Sequence, residues 1–160
     1  MSKPMPSSGT ARTASARSGR WRRIFVVLFT VTVFALALWR ESGPQFVHMS
    51  LASENFRLEV ADTDAARQQG LSGRTGLPPN QGMLFMFSHP ARQCFWMKDM
   101  RFSLDIIWAD SAHHVVQVLP DLSPNTYPQT FCAANTQYVI ELPAGTAAHA
   151  RMQTGALLVF

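Results

Sequence analysis

Two carboxylates stand where carboxylates are expensive. Asp105 interrupts the apolar run Leu104 to Trp108, and Glu141 sits near the end of another, Val139 to Leu142. A carboxylate held among apolar neighbours is costly unless it is paired or hydrogen bonded. Its natural partners here are Arg74, from a glycine-rich stretch, and Lys98, from the run Cys94-Phe95-Trp96-Met97-Lys98-Asp99-Met100. Strand alternation in that run sends Phe95, Met97 and Asp99 to one face and Cys94, Trp96, Lys98 and Met100 to the other, so Trp96 and Lys98 line one cleft. Arg74, Trp96, Lys98, Asp105 and Glu141 are therefore the candidate binding residues. Two carboxylates with basic partners and a tryptophan can serve acid and base chemistry on a glycan or peptide, which would make an envelope hydrolase using Asp105 and Glu141. The competing reading has both carboxylates fixing loops by accepting backbone N–H bonds, with Arg74 as an ion-pair strut. The second is favoured, because buried ionic networks perturb carboxylates without being catalytic. No nucleophile with an adjacent base and no metal triad can be assembled, so catalytic residues stay unassigned and a non-catalytic binding module is expected.

Where this chemistry takes place is set by the N-terminal segment. From Trp21 to Trp39 the chain reads WRRIFVVLFTVTVFALALW, with no charge between Ile24 and Trp39. Nineteen helical residues span roughly 28 Å, close to the hydrocarbon thickness of a bilayer. Lys3, Arg12, Arg17, Arg20, Arg22 and Arg23 precede the run with no acidic residue among them, whereas Arg40 and Glu41 cancel after it. Positive charge stays inside, so the N-terminus is expected in the cytoplasm and everything after residue 40 outside the inner membrane. Ala35-Leu36-Ala37 would suit a signal peptidase, which gives a cleaved, secreted form as the alternative. Tryptophans at both interfaces favour the uncleaved anchor.

Removing the leader changes the composition. The chain carries +4 overall, but residues 41 to 160 hold seven basic and ten acidic residues, a net of −3. No basic stripe with interleaved aromatics remains, which argues against nucleic acid as a partner. The expected partners are the membrane, through residues 21–40, and an envelope protein, peptide or glycan. Residues 1–20 read as a disordered cytoplasmic tail, 21–40 as the anchor or signal peptide, 41–54 as a tether broken by Gly43-Pro44, and 55–160 as one globular domain.

Within that domain the pattern is mainly β. Phe56, Leu58 and Val60 alternate with Arg57 and Glu59, as in a half-buried strand. Thr63 or Asp62 can cap a short helix from Asp64 to Gln69 that stops at Gly70. The runs MLFMF, CFWM, LDIIW, HHVVQVL, QYVIEL and ALLVF are each bounded by turn residues. Six to seven short strands with one short helix suggest an α+β, mainly β domain, barrel-like or two-layered, preceded by the transmembrane helix. LDIIW is apolar on both faces and must be covered on both.

The remaining chemistry is sparser. Cys94 and Cys132 are the only cysteines, and an oxidising compartment favours their pairing, since no CxxC spacing points to redox work. The five histidines are scattered, and His113 and His114 would point to opposite faces of a strand, so no metal site is expected. Met83, Met86, Met97 and Met100 suit core filling better than copper handling. Gly70, Gly73, Gly76 and Gly82 lack the Gly-Lys-Ser/Thr of a phosphate loop and serve turns instead. No cofactor motif is apparent.

Three stretches, GLSGRTGLPPNQGMLFMF (70 to 87), CFWMKDMRFSLDIIWAD (94 to 110) and YVIELPAG (138 to 145), in this order and spacing, resemble domain of unknown function family 192. The resemblance implies a small, mainly β domain, often exported or membrane tethered in bacteria and archaea, without an established activity. The family usually has Asn-Thr after Trp-Met-Lys and Gly-Asp near the end, where this chain has Asp99-Met100 and Gly155-Ala156. Functions resting on those side chains would not carry over.

Overall fold

A computed structural model describes residues 23–31, 43–51 and 54–160, in two units divided after Ser42. In the first unit residues 23–31 form helix α1, where the Thr30 hydroxyl donates to the Val27 carbonyl at 2.9 Å. Among the described residues no helix is long and apolar enough to cross a membrane. The expected cytoplasmic tail and most of the expected Trp21 to Trp39 anchor lie outside the described residues.

The second unit is built from β1 (Phe46–Leu51), β2 (Glu54–Ala61), α2 (Asp64–Gln69), β3 (Gln81–Trp96), β4 (Leu104–Ala109), β5 (Val115–Leu122), β6 (Thr130–Pro143) and α3 (Thr146–His149). One mixed sheet runs β1-β2-β3-β6-β4-β5. All its pairings are antiparallel except β2 with β3, where Arg57 to Ala61 lie beside Gln81 to Phe85. A parallel pair needs a crossover, and α2 lies within it. The helix begins where the sequence places it: the Thr63 hydroxyl accepts the Ala66 N–H at 3.2 Å, and Gly70, at φ +49°, ends it in a backbone region that disfavours side chains.

The sheet carries a core on each face. On one, Leu58, Leu84, Ile107 and Ile140 pack with Ala147 of α3 and with Met152 and Leu158 from the C-terminal segment. On the other, Met83, Phe85, Ile106, Trp108 and Val139 pack with Leu71 and Met97 from the loops after α2 and β3. Strand β4 is buried at every position because both cores claim it, as LDIIW requires. Each Leu, Ile or Phe so buried contributes about 1.5–3 kcal/mol.

Four expectations need correction. The sheet does not close into a barrel: only isolated bridges, Ser50 with Val159 and His114 with Leu157, link the C-terminal segment to β1 and to the residue before β5. ALLVF is thus a clasp between the two edges and not a strand. Residues 46–51, read as tether, form edge strand β1, because His48 and Ser50 can face out while Met49 is fully buried against the first core. MLFMF and CFWM are two ends of one long strand, β3, interrupted by register shifts around Ala91 where Pro90 cannot donate to the ladder. Finally, the domain has two short α-helices where one was expected, the second being the single turn α3.

Candidate functional site

Register decides the fate of the two carboxylates. Asp105 lies opposite Leu142 and Ile106 opposite Glu141 on the β4–β6 ladder. Directly opposed residues share a face and successive residues alternate, so Asp105 and Glu141 look into different cores. They cannot act together on one substrate, and the two-carboxylate hydrolase is ruled out as a geometry.

Asp105 is fully buried and fully satisfied. Its Oδ1 accepts the backbone N–H of Asp121 at 2.8 Å and of Gly145 at 3.2 Å, and its Oδ2 accepts that of Ala147 at 2.7 Å. The carboxylate thus ties the β6–α3 turn to the end of β5, the loop-fixing role that competed with catalysis. Arg74 pairs with neither candidate carboxylate. Its Nη2 lies 2.9 Å from both oxygens of Glu59 on β2, a half-exposed strut worth at most about 1 kcal/mol.

Glu141 is the exception. It is 5 % exposed, stands between Met83 on β3 and Ile106 on β4, and accepts no hydrogen bond from any described residue. Burial alone pushes its carboxyl up from 4.5 to about 8, so near neutral pH it is protonated. What it faces is a cavity of about 300 Å³. The walls come from α2 and the turn after it, through Arg67, Gln68 and Gln69, and from β3, through Phe85, Phe87 and Phe95. Backbone packing leaves no slack beneath: a side chain at Gly82 would collide with the Glu141 carbonyl and reach Leu142 Cδ2 at 2.6 Å.

Trp96 forms the mouth. It is 52 % exposed, lines this cavity, and also lines an adjoining hollow that holds Lys98 and Asp99 and shares Arg67, Gln68, Gln69 and Ser72. Lys98 Nζ lies 5.9 Å from the Trp96 ring centroid, within the range of a cation–π contact, and Tyr127 meets the indole edge-on at 6.1 Å. The Ser72 hydroxyl donates to the Lys98 carbonyl at 3.1 Å and the Gly73 N–H to the Asp99 carbonyl at 2.9 Å, which holds the two walls at fixed separation. Cys94 and Cys132 are directly opposed across β3 and β6 and disulfide bonded, and Cys94 borders the cavity beside Trp96.

Of the five candidates, then, Trp96, Lys98 and Glu141 share one continuous cleft while Arg74 and Asp105 stand apart from it. Sequence reasoning missed the aromatic wall and the α2 side. The available signal was Phe85 and Phe87 alternating in phase with Met83 and, by strand pairing, with Glu141; that pairing is invisible without the sheet order. Arg67 is committed to structure: its guanidinium donates to the Asp62 and Met86 carbonyls at 2.6 and 2.7 Å and to Asp64 Oδ1 at 2.6 Å. On the far core His113 stacks on Phe160 at 4.4 Å and meets Tyr138 edge-on, so it is part of an aromatic cluster in a turn. Among the described residues no three His, Cys, Asp or Glu side chains are grouped to hold a metal.

Residues 47–160 match the profile of the family DUF192, described as "Uncharacterized ACR". Two solved structures share the fold. A protein of unknown function from Novosphingobium aromaticivorans DSM 12444 aligns at 28 % identity over 76 % of this chain and 89 % of its own, with a TM-score of 0.69. A protein from Sinorhizobium meliloti 1021, described as a proposed transcription regulator, aligns at 25 % identity over 74 % of this chain and 96 % of its own, with a TM-score of 0.70. No curated protein matches.

Proposed function

The chain belongs to domain of unknown function family 192, and from that premise we propose that it is a cell-envelope binding module, held at the inner membrane by residues 21–40 and using the cleft between α2 and β3 to capture a small group on a peptide or other envelope molecule. The observation that carries this reading is the cleft itself: an exposed tryptophan at its mouth, an aromatic wall, and one unpartnered polar group, Glu141, at its floor. The lining mixes the aromatic side chains with Gln68, Gln69, Ser72 and Gln93, and about 300 Å³ is the small end of the range of ligand sites. Binding without catalysis is favoured because among the described residues no nucleophile or second titratable group is hydrogen bonded to Glu141, and because Asp105 is occupied by backbone amides.

The reading is tested by screening the full chain, reconstituted in nanodiscs, against envelope peptides and glycans. Binding is expected to fall at least tenfold on Trp96→Ala with unfolding unaffected, since the exposed indole makes few core contacts. Asp105→Asn is expected to lower stability by roughly 2–3 kcal/mol, through weakened acceptance of backbone N–H groups, without altering affinity. Turnover of any screened compound that vanishes in folded Asp105→Asn would overturn the binding reading.

A further inference from the structure

We infer that the occupant of the cleft carries an alkylammonium group, and that its charge is received between the aromatic wall and the Glu141 carboxylate. The inference rests on the binding reading above and names the ligand class. It follows from what the cavity contains and lacks. Phe85, Phe87, Phe95 and Trp96 offer ring faces and edges to one small space, and aromatic faces attract cations by their quadrupole. The two cations near the cleft already do this: Arg67 lies 5.3 Å from the Phe87 centroid and Lys98 5.9 Å from that of Trp96. Neither reaches Glu141, for no ion pair or hydrogen bond to it exists among the described residues.

Charges facing the carboxyl can be counted from each wall. α2 contributes Arg67 and Asp64, which both line the cavity and pair with each other at 2.6 Å. The neighbouring strands contribute only Met83 and Ile106 beside it, and Lys98 and Asp99 stand beyond Trp96 in the adjoining hollow. The cavity therefore holds a buried acid with which no cation among the described residues pairs, beside rings that favour a positive charge. An anionic ligand would meet the negative faces of those rings and gain nothing from a cation already committed to Asp64 and two carbonyls. The cavity volume admits a lysyl side chain or a small amine but not an oligosaccharide.

The charge pairing has a sign that experiment can read. An ammonium ligand needs Glu141 ionised, so binding releases the carboxyl proton to solvent, and affinity rises with pH until the free carboxyl itself ionises near 8. A carboxylate ligand would do the opposite, needing the protonated acid. The probes are n-butylammonium, the neutral n-pentanol and n-pentanoate, titrated against the full chain in nanodiscs by ligand-observed NMR between pH 6 and 9. Butylammonium is expected to bind about tenfold more tightly per pH unit from 6 towards 8 and to level off above. In Glu141→Gln, which keeps shape and stays neutral, that slope is expected to vanish and affinity at pH 8.5 to fall at least tenfold. Pentanol or pentanoate binding as tightly as butylammonium at pH 8.5, and losing affinity on Trp96→Ala, would overturn the ammonium assignment and leave the binding reading intact. No binding by any of the three, together with an empty screen of peptides and glycans, would overturn both.

Discussion

At the scale of single residues, Glu141 and Asp105 carry the same carboxyl group in two physical situations. Asp105 accepts three backbone N–H groups, whereas Glu141 has only apolar strand neighbours and gives up its charge. That difference has a pH signature. An acid whose folded pKa is raised above its unfolded value favours the folded state fully at low pH, and this contribution is lost as pH rises. Between about 4.5 and 8 the folded protein holds one proton more than the unfolded chain, so stability declines across this window and becomes level above it. The total loss is on the order of 3–5 kcal/mol, because each unit of pKa shift corresponds to about 1.4 kcal/mol. Urea midpoints measured from pH 4 to 9 are expected to show this decline, and Glu141→Gln to flatten it and to be the more stable protein at pH 9. A wild-type midpoint independent of pH across the window would mean the carboxyl is ionised in the folded protein. Much of this was legible from sequence: a carboxylate inside VIEL and another inside LDIIW announce themselves as anomalies. Which of them is satisfied was not legible, since the donors to Asp105 come from residues 16 to 42 positions away.

At the scale of elements, the sequence predicts α2 to the residue because its signals are local: a threonine cap, two turns of chain and a glycine stop. Strand β4 and the second half of β6, QYVIEL, are visible for a similar reason, as short apolar runs between turn residues. The long strand β3 is not, because Ser88 to Arg92 look like a loop and are kept in the ladder only by pairing with distant β6. The same pairing sets the cysteines opposite one another, with Cα atoms 4.1 Å apart although they stand 38 positions apart in the chain. Closing a loop of that length stabilises a fold by about 4 kcal/mol in the chain-entropy account. The double variant Cys94→Ala/Cys132→Ala is therefore expected to unfold at a lower urea concentration by an amount near this figure. Because the bridge also borders the cleft, the Trp96 side should loosen first. Amide hydrogen exchange is expected to rise at 93–96 and 130–133 before it rises at 83–86 and 138–141, which the antiparallel ladder holds independently. Equal exchange at both ends would show that the bridge acts only by restricting the unfolded chain.

At the scale of the whole chain, charge and redox chemistry make independent statements about compartment. The first forty residues hold seven basic and no acidic side chains, the remainder a net of −3, an asymmetry that orients an apolar segment with its basic end in the cytoplasm. The domain brings its two cysteines into bonding register, an arrangement that persists in oxidising compartments and is reduced in the cytosol. If the leader exports the domain, the two must agree in a living cell. With the whole chain expressed, Cys94 and Cys132 are expected to resist alkylation until a reductant is added, and an alkaline phosphatase joined to Phe160 through a flexible linker should be active. With residues 1–42 deleted, the same cysteines should alkylate directly and the phosphatase should be silent. Replacing Arg17, Arg20, Arg22 and Arg23 by glutamate should shift molecules from the first behaviour to the second, because the orientation rests on those charges. A phosphatase active only when the leader is absent, or cysteines free in the whole chain, would place the domain in the cytosol. The binding cleft would then have to find its amine among cytosolic molecules.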